Sequence, residues 1–481
     1  MAGEEMETAE PGDAAEVRRW RPWWRDRWLG VELVLIALAA CVRLWQSWGV
    51  TRMVFQDSLK NLESAASYGW FDRRLWGGQR TPLVPVVMKV VGAQRYDIDP
   101  FIVAQVVIGV LAWALLACTL GRRSPGAWRW VVTIGVLLLS VTTPISMWDD
   151  AVLTESLSVS MLVLTTATAI WLVERRTWPT WSAFVASFVL LILVRDTHIV
   201  LSGLLALGLV VVVALTWRRH RRVVLVTVLL IPVLMALTAF GRWSTVAGAR
   251  HVQPTRETLF VKILPYEDRF EWFADHGMPD ADRLRKLRPG IYRDAQTGAP
   301  LFPLPDYQDA AWKDFNRWVH DDAQGVYNRW LMTHPVEALA DWFRRPAMIW
   351  NSAGNSWKFY RDPGFKEVRI VDIDLLLFPP MWVVTGIFAG AVCVLMWARR
   401  RWWQEPVAVV GLANIALGIP HGIISWLGDP AEVSRHALVA IVQLRLGALA
   451  IIVLALPEAA AFVRSLPRQR AAAEISEPAA Q

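Results

Sequence analysis

At 481 residues the chain is 54% hydrophobic and only 19% charged, a balance that excludes an ordinary solvated enzyme and supplies many stretches near the roughly 20 apolar residues that cross a bilayer. The net charge of +7 gathers as arginine in short connections between those stretches, where it orients a membrane protein, so the charge does not argue for a nucleic-acid partner. Three cysteines, Cys41, Cys118 and Cys393, each inside an apolar run, exclude a disulfide framework and a cysteine-based zinc site.

Residues 1–28 are polar, acidic first and then basic through Arg18, Arg19, Arg21, Arg25 and Arg27. They read as a cytoplasmic tail ahead of an uncleaved signal anchor. Apolar runs follow at 29–48, 101–120, 128–147, 150–173, 180–194, 197–217, 223–241, 374–397, 406–427 and 436–456. Tryptophans such as Trp128, Trp148, Trp217, Trp382 and Trp426 fall at the ends of these runs, where indole prefers the headgroup region. The pattern predicts an all-α polytopic membrane protein of about ten transmembrane helices with a small mixed or helical extracytoplasmic segment. With the N-terminus inside, Arg122-Arg123 to Arg129, Arg175-Arg176, Arg218 to Arg222, Arg399 to Arg401 and the Arg464 to Arg470 tail all fall on the cytoplasmic side. A multi-pass protein of the cell membrane with both termini cytoplasmic is expected.

The resulting organisation is a tail at 1–28, a membrane module at 29–241 with an outer loop at 49–100, an extracytoplasmic segment at 242–373, C-terminal membrane helices at 374–463 and a tail at 464–481. In the outer loop, Pro82 and Pro85 suit the first turn of a short helix lying along the interface. In the outer segment, Trp312, Phe315, Val319, Val326 and Trp330 mark one face of a helix interrupted at Asp322, and Pro335 opens another helix toward Trp342. Packing of the segment on itself is the favoured role of that stripe.

Ionisable groups collect on the outer side: Asp57, Asp149, Asp150, Glu155, Arg195, Asp196, His198, Asp429, Glu432, Arg435 and His436. Carboxylates at the mouth of an apolar helix are costly unless they serve a site or a partner. The residue types suit a reaction in which a carboxylate removes a proton from a nucleophile while cations steady a departing anion. Asp57 and Asp150 are the base candidates. Glu155, about one and a half turns into its span, requires a cation, for which Arg195, Arg435 and the deeper Arg445 are the options. Arg195 and Arg435, with His198 and His436, are candidate phosphate ligands, because guanidinium presents a planar fork to phosphate oxygens. Structural readings stand beside these: Asp150 as a helix cap, Asp57 as a solvated loop acid, the histidines as interfacial hydrogen-bonding groups. No metal-ligand spacing is present; if a divalent cation is used, Asp57 and Asp150 are its donors.

The layout resembles the type C superfamily of integral membrane glycosyltransferases, which includes mannosyl- and arabinosyltransferases that use polyprenyl-phosphate sugars. The resemblance rests on Phe55-Gln56-Asp57-Ser58, Arg80-Thr81-Pro82-Leu83-Val84-Pro85, Asp149-Asp150, Thr154-Glu155-Ser156-Leu157, Leu193-Val194-Arg195 and Asp429-Pro430-Ala431-Glu432-Val433-Ser434-Arg435-His436. It implies transfer of a hexose or pentose from a polyprenyl-phosphate donor to a hydroxyl of a glycan, lipid or protein acceptor on the extracytoplasmic face. Under it, Asp57, Asp150 and Glu155 are the catalytic set, with Asp57 as general base. Asp149, Arg195, His198, Glu432, Arg435 and His436 are the substrate-binding set. The acidic pair is Asp149-Asp150 rather than a spaced Asp-x-Asp, and the outer segment is inserted before the final three spans.

Two other classes fit the composition. A transporter or lipid flippase places its polar groups near the midplane, often in repeated halves, whereas here they concentrate at one rim. A membrane scaffold that recruits a partner through the outer segment is the other.

Overall fold

The computed structural model describes residues 29–50, 52–94, 97–216, 221–293, 300–303, 309–344, 366–367, 373–399, 401–428 and 433–476. The chain is an all-α polytopic membrane protein. Its first half comprises α1 (Leu29–Ser47), α2 (Gln56–Ser67), α3 (Arg73–Gly77), α4 (Leu83–Val91), α5 (Asp99–Gly121), α6 (Trp128–Ser140), α7 (Thr143–Ser146), α8 (Glu155–Arg175), α9 (Trp178–Val194), α10 (Asp196–Thr216) and α11 (Arg221–Ala247). The outer segment follows with α12 (Val252–Thr258), α13 (Glu267–Asp275), α14 (Ala281–Leu287), α15 (Lys313–Asp321), α16 (Ala323–Thr333) and α17 (Pro335–Arg344). The last group is α18 (Ile373–Leu377), α19 (Met381–Ala398), α20 (Pro406–Gly428), α21 (Val433–His436) and α22 (Leu438–Ser476). The sheet among the described residues is one two-residue pairing, Tyr292 with Leu301 and Arg293 with Pro300.

Among the described residues, seven helices are long and apolar enough to cross a membrane, or eight if α6 and the bent segment Thr143–Asp150 count as one span. The helices at Trp178–Val194 and Asp196–Val211 are apolar but shorter. These account for the ten apolar runs of the sequence, two of them as short helices joined at Arg195. The 53° bend after α6 has a local cause. Pro144 opens α7, where its missing N–H costs nothing but where the preceding turn cannot continue, and Asp374 accepts a 2.9 Å hydrogen bond from the Thr143 backbone N–H.

Interior and exterior helices differ in composition. Helix α8 is buried along most of its length and carries Ser156, Ser158, Ser160, Thr165, Thr166 and Thr168 inside the bundle. Small hydroxyl residues let helices approach closely and return their hydrogen bonds to nearby carbonyls: Thr166 donates to Leu162 O at 2.9 Å and Thr168 Oγ1 meets Ser187 Oγ at 2.8 Å. Helix α1 instead leaves Val31, Leu33, Val34 and Leu38 exposed, the surface a lipid solvent would cover.

The outer segment has a core of its own. Phe260, Phe270, Phe302, Trp312, Phe315, Val319, Val326 and Trp330 are buried together, so the aromatic stripe packs the segment on itself. The helix breaks at Asp322, between α15 and α16, and α17 begins at Pro335. Tyr327 Oη donates to Leu427 O at 2.9 Å, and the Lys262 ammonium bonds Trp426 O and sits 4.1 Å from that indole's centroid. The segment is thereby seated on the end of α20.

Candidate functional site

The site region is built where α1, the α7–α8 joint, the α9–α10 joint and the α21–α22 joint come to one end of the bundle. After α7 a single 3-10 turn, Met147–Asp150, carries the acidic pair, and both carboxylates are buried. A 3-10 turn has three residues per turn, so consecutive side chains leave it about 120° apart. Asp149 and Asp150 therefore serve different partners.

Asp149 turns into the bundle. Arg43 donates to its Oδ2 from Nε at 3.0 Å and Nη2 at 2.6 Å, and Ser156 Oγ donates to Oδ1 at 2.6 Å. Gln105 Nε2 ties the backbone there, donating to Asp149 O and Ala151 O at 3.0 and 3.1 Å. Arg43 reaches this position because residue 109 of α5 is glycine. A Cβ at Gly109 would lie 2.7 to 2.9 Å from the guanidinium, closer than packed atoms tolerate. Both oxygens of Asp149 are thus engaged by protein groups, and its role here is to lock α1, α5 and α8 together.

Asp150, equally buried, turns toward Arg52. Arg52 Nη1 approaches its Oδ1 at 3.3 Å while donating to Ser47 O at 2.9 Å, and Arg52 Nε donates to Asp99 Oδ1 at 2.8 Å. Backbone pairing fastens the same strand of chain: Met53 N donates to Asp150 O at 3.2 Å and Val152 N to Met53 O at 3.1 Å. The segment that leads into Asp57 is consequently registered against the acidic turn.

Asp57 sits in the first turn of α2, where the helix dipole favours a carboxylate. It is 37% exposed and ion-paired through Oδ1 with Arg80. The next residue, Thr81, donates to Val194 O at 2.8 Å, which places the Asp57–Arg80 pair beside Arg195.

Arg195 occupies the one-residue joint between α9 and α10. Its Nη1 is 3.6 Å from Glu155 Oε1, its Nη2 contacts His436 Nδ1, and Arg435 Nε approaches the same Glu155 oxygen at 3.5 Å. Arg435 Nη2 is 3.4 Å from His436 Nε2. Glu155 is the first residue of α8, not one and a half turns into its span, because the 3-10 turn and Ala151–Thr154 precede the helix; at 1% exposed it faces two buried guanidinium groups, both of which also contact His436. Arg445, the third candidate partner of Glu155, goes elsewhere: it donates to Pro379 O at 2.5 Å and lies 3.7 Å from the Phe378 ring centroid.

The neighbouring residues divide in the same way. Asp196 is held by Arg250 Nε and Nη2 at 2.9 Å each and by Thr245 Oγ1 at 2.9 Å. With Thr81, Pro82, Leu193, Phe240 and Arg250 it lines a small cavity beside the Arg195 joint. His198, one turn past Arg195, is fully inside the bundle; its Nδ1 bonds Leu191 O at 2.6 Å and its ring meets His421 edge-on at 5.3 Å between centroids. His421 in turn bonds Gln443 Oε1 at 2.9 Å. Because Leu191 O only accepts, His198 carries its proton on Nδ1 and leaves Nε2 as an acceptor.

Of the candidate residues, Asp57 pairs with Arg80 one residue before the Thr81–Val194 bond, and Glu155, Arg195, Arg435 and His436 form one connected polar cluster. Asp150 flanks it, His198 lies beneath it, Asp149 belongs to the bundle lock, and Glu432 lies outside the described residues. Arg43, Arg52, Arg80 and Arg250 are partners that motif reading did not single out. The available signal was charge itself: Arg43 is a lone cation in an otherwise apolar run, and such a group demands a counter-charge. Among the described residues no three His, Cys, Asp or Glu groups gather as a metal site. Asp57 and Asp150, the donors expected of a divalent cation, each face an arginine, Arg80 and Arg52.

No family model matches the chain, and no curated protein matches it. Among solved structures it is similar to the archaeal oligosaccharyltransferase AglB from Archaeoglobus fulgidus, in complex with an inhibitory peptide and a dolichol-phosphate. The identity is 12% and the TM-score 0.43, over 96% of this chain and 53% of that one. The chain thus spans about half the length of that protein, and a likeness of this degree assigns no activity.

Proposed function

We propose that the chain is a membrane glycosyltransferase that moves a sugar from a polyprenyl-phosphate donor to an acceptor hydroxyl on the extracytoplasmic face. The observation that carries the reading is the gathering of Arg195, Arg435 and His436 around Glu155 from three stretches of the chain, with the Asp57–Arg80 pair tied to the Arg195 joint through the Thr81–Val194 bond. The motif resemblance to type C glycosyltransferases points the same way.

In this reading the acceptor oxygen bonds to the anomeric carbon as the bond from that carbon to the phosphate oxygen breaks. The electron pair leaves with the polyprenyl phosphate, and the acceptor's proton passes to Asp57. Arg80 engages Oδ1 of Asp57, which orients the carboxylate and leaves Oδ2 to receive the proton. Negative charge grows on the phosphate as the anomeric carbon becomes cationic; preorganised guanidinium groups shielded from water favour that separation. Arg195 and Arg435 supply them, and Glu155 holds both in place before substrate arrives. Asp150, through Arg52 and the Met53 pairing, sets the position of the Asp57 segment. The apolar tail of the carrier would lie against the lipid-facing helices.

Incubation of the purified protein with a panel of lipid-linked sugars and hydroxyl acceptors tests the reading directly. Release of polyprenyl phosphate coupled to a new glycoside is expected with one donor; a panel that gives neither product sinks it. For sidedness, a cysteine at the exposed Ala127, introduced after replacing Cys41, Cys118 and Cys393, should resist impermeant thiol reagents in intact cells, whereas one at Asp282 should label. The reverse pattern would place the site inside the cell.

A further inference from the structure

Helix α17, Pro335–Arg344, divides its surface into three sectors at the helical spacing of about 100° per residue. Ala338 and Trp342 are buried. Glu337 and Asp341, on the next sector, hold Arg269 at 2.6 Å each. The third sector, Val336, Leu339 and Phe343, is apolar and exposed at 79, 40 and 67%. Three apolar side chains within about 60° of arc on an exposed helix are not a random surface.

The level of the helix says what covers that face. Ala338 packs in the core of the outer segment, whereas Trp342, one turn on, packs in the core of the membrane bundle. Leu427, at the end of α20, touches both cores. The helix therefore lies where the outer segment meets the end of the spanning helix α20, and its outward apolar face stands at the level where that helix leaves the bundle. Arg344 at its end is exposed and suits a phosphate headgroup.

We infer that the Val336–Leu339–Phe343 face of α17 is a membrane-surface anchor, inserted in the boundary between headgroups and acyl chains of the same bilayer that the protein spans. Interfacial helices bury an apolar face about 5–10 Å into that boundary. The anchor fixes the outer segment against the membrane beside the end of α20. The inference does not depend on the transferase reading.

The test uses the full chain with Cys41, Cys118 and Cys393 replaced by serine, reconstituted in phosphatidylethanolamine–phosphatidylglycerol vesicles. Nitroxide labels go on Val336→Cys, Leu339→Cys and Phe343→Cys, with Asp282→Cys on α14 as the aqueous reference. These side chains are exposed, so labelling leaves both cores intact, and a monodisperse elution profile checks this. The ratio of oxygen to water-soluble nickel-chelate relaxation is expected to be several-fold higher at 336, 339 and 343 than at 282. Equal ratios would overturn the anchor, as would shielding from both relaxants, which would mean that protein covers the face.

Discussion

Two buried carboxylates toward opposite ends of the bundle each face two arginines and are finished differently, and the first belongs to helix α1. Near its start, Glu32 is fully buried and closed upon: Arg129 donates to Oε1 at 2.6 and 3.0 Å and Arg122 to Oε2 at 3.2 Å. Toward the other end of the bundle, Glu155 also faces two arginines, but at 3.5 and 3.6 Å. The charge ratio is the same and the closure is not. A carboxylate with short hydrogen bonds to both partners has nothing left to offer, and such a cluster acts as a clasp between α1, α5 and α6. The guanidinium groups of Arg195 and Arg435 stand farther from their carboxylate than those of Arg122 and Arg129 do from Glu32. Asp149, adjacent in sequence to the second cluster, follows the first pattern, with Arg43 and Ser156 at 2.6 Å. Buried ion pairs among the described residues thus come in a closed form that holds helices and a wider form, which the proposed transferase reading would use.

Substitutions should separate the two forms. Asp57→Ala should lower sugar transfer by about 10²–10⁴, the usual worth of a general base, with unchanged thermal unfolding; near-wild-type turnover by the folded variant would refute the base assignment. Asp149→Ala should act on the fold instead, costing about 3–5 kcal/mol by leaving Arg43 buried without its carboxylate, read as a lowered unfolding temperature in detergent. Arg435→Gln should reduce transfer by about 10²–10³, as loss of one preorganised donor does, with little change in unfolding temperature. A large fall in stability would move the Glu155 cluster into the closed class. Gly109→Ala should push on the Arg43 guanidinium and cost about 1–3 kcal/mol, in the same direction as Asp149→Ala. Glu32→Gln should cost about 1–3 kcal/mol, less than a fully buried pair because Arg122 and Arg129 are partly exposed, and should leave turnover per folded molecule intact. Loss of turnover there would break the distinction.

The sequence determined much of the membrane architecture, because hydrocarbon admits backbone only as helix or closed barrel and the apolar runs are long enough to count. It determined the aromatic stripe of the outer segment too, since Trp312, Phe315, Val319, Val326 and Trp330 follow helical spacing. Charge placement near run ends marked Asp57, Glu155, Arg195 and Arg435 as a group. What only the tertiary structure decided is which cation each acid takes. Arg43 lies 106 positions from Asp149, and no local pattern records that distance. The 3-10 turn that sends Asp149 to Arg43 and Asp150 to Arg52 follows a bend at Pro144 and packing between α5 and α8. Glu155 had three possible arginines, and the crossing of helices kept two and gave Arg445 to a proline carbonyl. Hydrophobic periodicity is a property of neighbours along the chain, whereas ion pairing at bilayer depth is a property of which helices pack together.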